Sequence, residues 1–261
     1  MTAALTFRLI GQDIAYSASP AMMNAAFGAL GLPHRYELAD VPADGVAATV
    51  AQLRADEAGG ANVTVPHKAA VAALVDAVSD VAREADAVNT VVRDGSRLIG
   101  HNTDMPATVE ALERLCPDGI GHAVVLGAGG VSRAVRLALD QVGVRRVTVL
   151  RRADGSIERL PHEIASADLL VNATPVGTGS DASLVPTALL RPDLAVLDLV
   201  YRPCPTRLVR DALAAGAPAQ AGAAILLGQA WRSLELWLGR PAPVEVMRAA
   251  LDAELGGTSG A

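Results

Sequence analysis

The stretch "VVLGAGGVSRAV" constrains the fold more than any other part of this 261-residue chain. An apolar run ends in Gly127, Gly129 and Gly130, and a helix-forming segment follows at once. Glycines let the backbone turn tightly between strand and helix and approach a pyrophosphate closely. The helix start adds free N–H groups and the positive end of a dipole. The third glycine of a dinucleotide fingerprint would fall at position 132, which carries Ser132. Such turns also serve packing alone, so the surroundings decide. The next strand, "RRVTVL", runs into Arg151 and Arg152, about twenty residues past the loop, where an acidic residue would bond the ribose hydroxyls of NAD. A planar, permanently charged guanidinium suits the 2′-phosphate of NADP instead.

The rest of the chain supplies the alternation that such a loop needs. "HAVVL", "VRRVTVLRR", "SADLLVNATPVG" and "LAVLDLVY" alternate with helical stretches, the pattern of a doubly wound parallel sheet. Upstream, "FRLIG", "RYELADV" and "ANVTV" read as strands separated by helices. Ser19 is the expected N-cap of the first helix, Pro20 fits its first position and Gly31 ends it. "HKAAVAALVDAVSDVAREAD" is predicted helical with one break, and Asp94-Gly95 between two apolar runs predicts a hairpin. "MPATVEALERL", "AAILLGQAWRSLELWLG" and "PVEVMRAALDAEL" are predicted helices, and "GGTSGA" is expected to fray. A chain this long exceeds the ~100–150 residues of a typical domain, so two α/β domains are expected.

Composition removes several function classes. Aromatics make up 3% of the chain and the net charge is −6 with no basic block. That disfavours nucleic-acid binding by stacking or by a global field, so any anion site must be local. Cys116 and Cys204 lack metal-ligand spacing and fit a reducing compartment. The start "MTAALTFRLIG" has no basic segment followed by a long apolar run, and no window approaches the ~20 apolar residues of a membrane span. A cytoplasmic protein without metal, nucleic-acid or membrane partners is the expectation.

Polar side chains gather at the ends of the upstream strands. Asn62, Thr64 and Lys68 stand in "ANVTVPHK", Asn89 and Thr90 in "AVNT", and Asn102 and Asp104 in "HNTD". Ligands of α/β sheets bind outside the carboxyl ends of strands, so Lys68 and Asp104 can meet there. Beside a nicotinamide, an amine–carboxylate pair suits alcohol oxidation, in which a proton leaves oxygen while a hydride leaves carbon. Taken singly, Lys68 reads more readily as a helix-start lysine in water and Asp104 as a helix N-cap. Ser17 and Ser19 flank a helix N-terminus and can cradle a carboxylate. His67 and His101 adjoin these groups and are read as packing or bonding at the pocket edge.

The stretches "YSASPAMMNAAFGALGL", "GGANVTVPHK", "EADAVNTVV", "GHNTD", "LGAGGVSRAV", "NATPVG", "DLVYRPCPTRL" and "GQAWRSLELWLG", in this order, resemble the shikimate and quinate dehydrogenases along nearly the whole chain. The resemblance implies a substrate domain built from residues 1–104 and 232–261. A Rossmann-type NADP domain would span 105–231, with a cleft separating the two. It implies that Lys68 and Asp104 form the catalytic pair and that Ser17 and Ser19 bind the substrate carboxylate, with Tyr201 pointing toward it. Thr64, Asn89 and Gln229 would bond ring hydroxyls, with Asn62 on the same wall. Gly127, Ala128, Gly129, Gly130 and Val131 would cradle the pyrophosphate and Arg151, with Arg152, the 2′-phosphate. Thr174 and Gly222 complete the cofactor set. The implied reaction is NADP-dependent reduction of 3-dehydroshikimate to shikimate, by a monomer or homodimer.

The chain departs from the family pattern at Met23, His101, Met105 to Thr108, Leu150 and Ile225. In the family these positions border the substrate ring and the nicotinamide. Quinate or another cyclic polyhydroxy acid, with NAD as the other cofactor, is therefore the alternative substrate reading. A slow ligand-sensing relative is the alternative from another class, and the intact Lys68 and Asp104 argue against it.

Overall fold

A computed structural model describes residues 3–55 and 57–256. The strands are β1 (Thr6–Gly11), β2 (Arg35–Asp40), β3 (Ala58–Val63), β4 (Ala77–Val78), β5 (Thr90–Asp94), β6 (Arg97–His101), β7 (His122–Leu126), β8 (Arg146–Leu150), β9 (Leu169–Asn172), β10 (Ala195–Asp198) and β11 (Ala219–Ala221). The helices are α1 (Ser19–Ala29), α2 (Val46–Gln52), α3 (Lys68–Ala72), α4 (Asp80–Ala85), α5 (Asp104–Leu115), α6 (Gly130–Gln141), α7 (Leu160–Ile164), α8 (Arg207–Ala214), α9 (Ala223–Leu238) and α10 (Val244–Leu255). The chain divides into two compact units. One is Met1–Asp104 with Leu227–Glu254, and the other is Met105–Leu226 with Leu255–Ala261. The return to the first unit thus falls at Leu227, inside α9, where the sequence reading sets it at 232.

The first unit holds a mixed six-stranded sheet, order β2-β1-β3-β5-β6-β4. β1, β2 and β3 are parallel, β5 runs antiparallel to both β3 and β6, and β4 lies parallel to β6. Successive side chains point to opposite faces. Ile10, Ala61, Val63, Val91 and Leu98 on one face pack with Val46 and Val50 of α2, Leu53 just past it, Val71 of α3 and Ala82 of α4. On the other face Phe7 meets Phe27 of α1 at 5.1 Å between ring centroids and Trp237 of α9 at 4.7 Å. Both faces are apolar because both are covered by helices. The hairpin forms where Asp94-Gly95 places it, with Gly95 at φ 60°, a left-handed conformation open to glycine.

Two local expectations are corrected. Ser19 is the first residue of α1, not its cap; Ala18 occupies the cap position, and Ser17 Oγ accepts from the Ser19 N–H at 3.3 Å. The stretch 67–86 is not one broken helix. It forms α3, then the two-residue β4 on the sheet edge, then α4, whose Ser79 cap accepts from Ala82 N–H at 3.3 Å. Edge pairing of Ala77 with Ile99 and of Val78 with Gly100 overrides the local helix preference of this alanine-rich stretch.

The second unit carries a fully parallel sheet, β11-β10-β9-β7-β8. Counted within the unit, the order is that of a doubly wound fold whose switch point lies between β7 and β9. Val124, Leu126, Leu150, Leu170 and Val196 pack against Leu160 and Ile164 of α7 and Leu208, Val209 and Ala212 of α8. The three-residue β11 has no counterpart in the sequence reading. Of the end read as frayed, 257–261 lies outside the described residues. Among the described residues, no helix is long and apolar enough to cross a membrane.

Candidate functional site

Strand direction explains why the first unit collects polar groups at one edge. β5 is antiparallel to β3, so its first residue, Thr90, lies opposite Asn62 near the end of β3. β6 reverses again, so its last residue, His101, lies opposite Thr90. The ends of β3 and β6 and the start of β5 therefore share an edge. Lys68 opens α3 just beyond β3 and Asp104 opens α5 just beyond β6. Their side chains meet with Nζ to Oδ2 at 2.6 Å and retain 24% and 20% exposure. A charge-assisted contact this short, still open to a small reactant, brings together an amine and a carboxylate, the groups that proton exchange requires.

The neighbours hold this pair in place. His67 is buried, and its Nε2 lies 2.7 Å from the carbonyl of Val41. A carbonyl only accepts, so Nε2 carries the proton and the imidazole anchors the residue before Lys68. His101 is partly buried, and burial pulls its pKa below the ordinary histidine value. Both fit packing or bonding at the edge.

Ser17 donates from Oγ to Ser19 Oγ at 3.2 Å. Thr64 is fixed through its backbone, donating to the Ile10 carbonyl at 2.9 Å and accepting from His67 N–H at 2.9 Å. Asn89 is buried; its Oδ1 accepts from Thr103 N–H at 2.7 Å, and its Nδ2 donates to Thr103 Oγ1 at 2.9 Å. Asn62 is also buried, with Oδ1 accepting from Tyr36 OH at 2.8 Å and Nδ2 placed toward the Asn89 carbonyl, Thr90 Oγ1 and Ser233 Oγ. Gln229 lies in α9, mostly buried. Tyr201 belongs to the second unit, three residues past β10. Tyr36, Thr103 and Ser233 also join this cluster, and Ser233 does so without a sequence signal, because it stands 171 positions from Asn62.

In the second unit β7 ends in the glycine loop and α6 begins at Gly130. Gly127 has φ 100°, and a Cβ there would fall 2.9 Å from the Ala173 carbonyl and 3.0 Å from Thr174 Cγ2, both just past β9. A side chain at Gly129 would instead enter open space. Ser132, at the third fingerprint position, is buried and donates from Oγ to the Gly127 carbonyl at 2.9 Å. It tightens the turn that a glycine would otherwise permit.

Thr174 N–H and Oγ1 both donate to Asn172 Oδ1, at 3.1 and 2.7 Å. At Gly222 a Cβ would strike the Leu199 carbonyl at 2.2 Å. Ala128 lies in the loop and Val131 in the first turn of α6, both exposed. Arg151 and Arg152 are exposed past β8, and Arg151 Nε contacts Asp154 Oδ2 at 2.9 Å. A narrow glycine turn at the switch point, an unhindered helix start and a following arginine fit a dinucleotide bearing a 2′-phosphate. Among the described residues, no group of three or more His, Cys, Asp or Glu side chains is placed to hold a metal ion.

Known proteins resemble this chain in sequence and in fold. Residues 9–91 match the family described as "Shikimate dehydrogenase substrate binding domain", and residues 222–251 match "Shikimate 5'-dehydrogenase C-terminal domain". A shikimate dehydrogenase (NADP(+)) of Symbiobacterium thermophilum is 41% identical over 276 residues, covering 95% of this chain and 94% of the relative. The shikimate 5-dehydrogenase of Thermus thermophilus, solved in complex with NADP(H) and shikimate, is 38% identical with a TM-score of 0.86 over 96% of this chain and 100% of that one. Quinate dehydrogenase from Corynebacterium glutamicum, solved with NAD, is 31% identical with a TM-score of 0.86, covering 95% and 98%. With this identity sustained along almost its entire length, the chain belongs to the shikimate dehydrogenase family.

Proposed function

We propose that this protein is an NADP-dependent shikimate dehydrogenase, reversibly interconverting 3-dehydroshikimate and shikimate. The observation that carries the reading is the 2.6 Å contact of Lys68 with Asp104, formed just beyond the ends of β3 and β6. Bound NADPH supplies the hydride for reduction, and NADP accepts it in the oxidative direction. Lys68 hands a proton to the nascent alkoxide oxygen during reduction and removes it from the hydroxyl during oxidation. Asp104 aligns that oxygen and the ammonium. Ser17 and Ser19 hold the substrate carboxylate, while Thr64, Asn89 and Gln229 bond the ring hydroxyls. The first unit is the substrate domain. In the second, residues 127–131, Thr174 and Gly222 hold the cofactor, and Arg151 and Arg152 its 2′-phosphate.

The test is the near-ultraviolet absorbance of reduced nicotinamide with shikimate and quinate, each with NADP and NAD. Shikimate with NADP is expected to give the highest kcat/KM, and a quinate optimum would overturn the reading. A second reading, quinate or another cyclic acid with NAD, has one observation in its favour. Asp154 engages Arg151 at 2.9 Å and so competes for the guanidinium that a 2′-phosphate would use.

A further inference from the structure

Ser233 lies on α9, wholly buried, against the strand edge that carries the reactive pair. Its Oγ lies 2.9 Å from the Gln229 carbonyl, 2.9 Å from Asn62 Nδ2, 2.8 Å from Thr90 Oγ1 and 3.2 Å from Thr103 Oγ1. A serine hydroxyl has one hydrogen and two lone pairs. The Gln229 carbonyl can only accept, so it takes the hydrogen. Ser233 Oγ is thereby fixed as an acceptor, receiving the Asn62 amide and a hydroxyl from Thr90 or Thr103.

The consequence runs to Asp104 through the backbone. Thr103 precedes Asp104 in sequence, and both its N–H and its hydroxyl are tied to Asn89. Thr90 Oγ1 also reaches Asn89 Oδ1, at 3.1 Å. While Ser233 absorbs a threonine hydroxyl, Asn89 Oδ1 stays committed to Thr103 N–H at 2.7 Å. Without that acceptor, the two threonine hydroxyls, 3.3 Å apart, are left with each other and with Asn89 Oδ1 in a buried space, where an unmet polar group is costly. The Asn89 amide then turns, and Thr103 moves with the residue it carries.

We propose that Ser233 is a positioning residue of the reactive site. It acts as the acceptor that fixes the amide of Asn89 and, through Thr103, the placement of Asp104 against Lys68. The proposal rests on the dehydrogenase reading for its kinetic consequence only. Ser233→Ala and Ser233→Cys separate hydrogen bonding from packing, since a thiol fills the volume but accepts weakly. Both variants are expected to lower kcat with shikimate and NADP by roughly tenfold to a hundredfold, the scale of a small misplacement of reacting groups, with little change in NADP affinity.

An independent readout needs no turnover. The Asn89 side-chain amide hydrogens, assigned in NMR spectra with Asn89→Asp, are expected to exchange slowly in the wild type and at least roughly tenfold faster in both variants. Wild-type kcat in Ser233→Ala, or a cysteine variant that restores it fully, overturns the proposal. Rapid amide exchange in the unmodified protein does so even if neither variant folds. If the wild type fails to oxidise shikimate while the amide behaves as described, the dehydrogenase reading falls and the role of Ser233 stands.

Discussion

Replacing Asp104 with asparagine keeps the side-chain shape and removes one charge from a contact of 2.6 Å. With Lys68 24% and Asp104 20% exposed, the pair lies between a surface ion pair and a buried one. Losing it should cost about 1–2 kcal/mol of stability, above the ~0.2–1 of exposed pairs and below the ~3–5 of buried ones. The kinetic loss should be far larger: kcat is expected to fall by about 10²–10³-fold, within the range for a group that aligns and tunes proton transfer. Steady-state oxidation of shikimate and urea unfolding measure the two effects separately. Lys68→Met should show a loss of similar or greater size. The double variant should be little worse than the poorer single one, because residues that act as a unit are not additive. Multiplication of the two losses, or a kcat for Asp104→Asn within about threefold of wild type, would refute the assignment of the pair as one proton-transfer device.

Other expectations follow from the second unit and from His101. Gly127→Ala should destabilise that unit by about 1–3 kcal/mol, since it combines a left-handed φ with a 2.9 Å clash, and should weaken NADPH binding in a fluorescence titration. Asp154→Asn should tighten NADPH by roughly twofold to fivefold and leave NADH unchanged, because a 2′-phosphate no longer faces a carboxylate on Arg151; paired titrations decide it. Cys116 lines a cavity of about 440 Å³ at the ends of α5 and α6, and burial raises its thiol pKa to about 11. It should react slowly with a disulfide reagent at pH 8, and fast labelling in the folded protein would contradict that. Burial depresses the pKa of His101 from 6.5, so its contribution to stability is complete above that value and is lost as pH falls through the depressed one. Unfolding midpoints of His101→Gln should therefore decline less below pH 6.5 than those of the wild type.

Features with local causes are legible in the amino-acid sequence alone. The glycine turn, the Asp94-Gly95 hairpin and the succession of strands and helices each follow from a few adjacent residues. The pairing of Lys68 with Asp104 follows from motif order, and the alternation of β3, β5 and β6 gives it a physical basis. What escapes a sequence reading depends on partners distant in the chain. β4 exists because Ile99 and Gly100 offer it an edge. Ser132 reads as a defect in a fingerprint until its bond to Gly127 is seen. Ser233 looks like an ordinary serine on an apolar helix, and nothing within four residues discloses Asn62 or Thr90.

The first unit is assembled from two stretches of chain, and this imposes an order on its synthesis. Thr90 leaves the ribosome 143 residues ahead of Ser233, a wait of roughly 7–30 s at ~5–20 residues per second. Throughout that interval the nascent strands carry amide and hydroxyl groups whose dry partner has not been made. Chains stalled before α9 should accordingly expose the face that Trp237 and Ser233 later cover, and become substrates for chaperones or proteases.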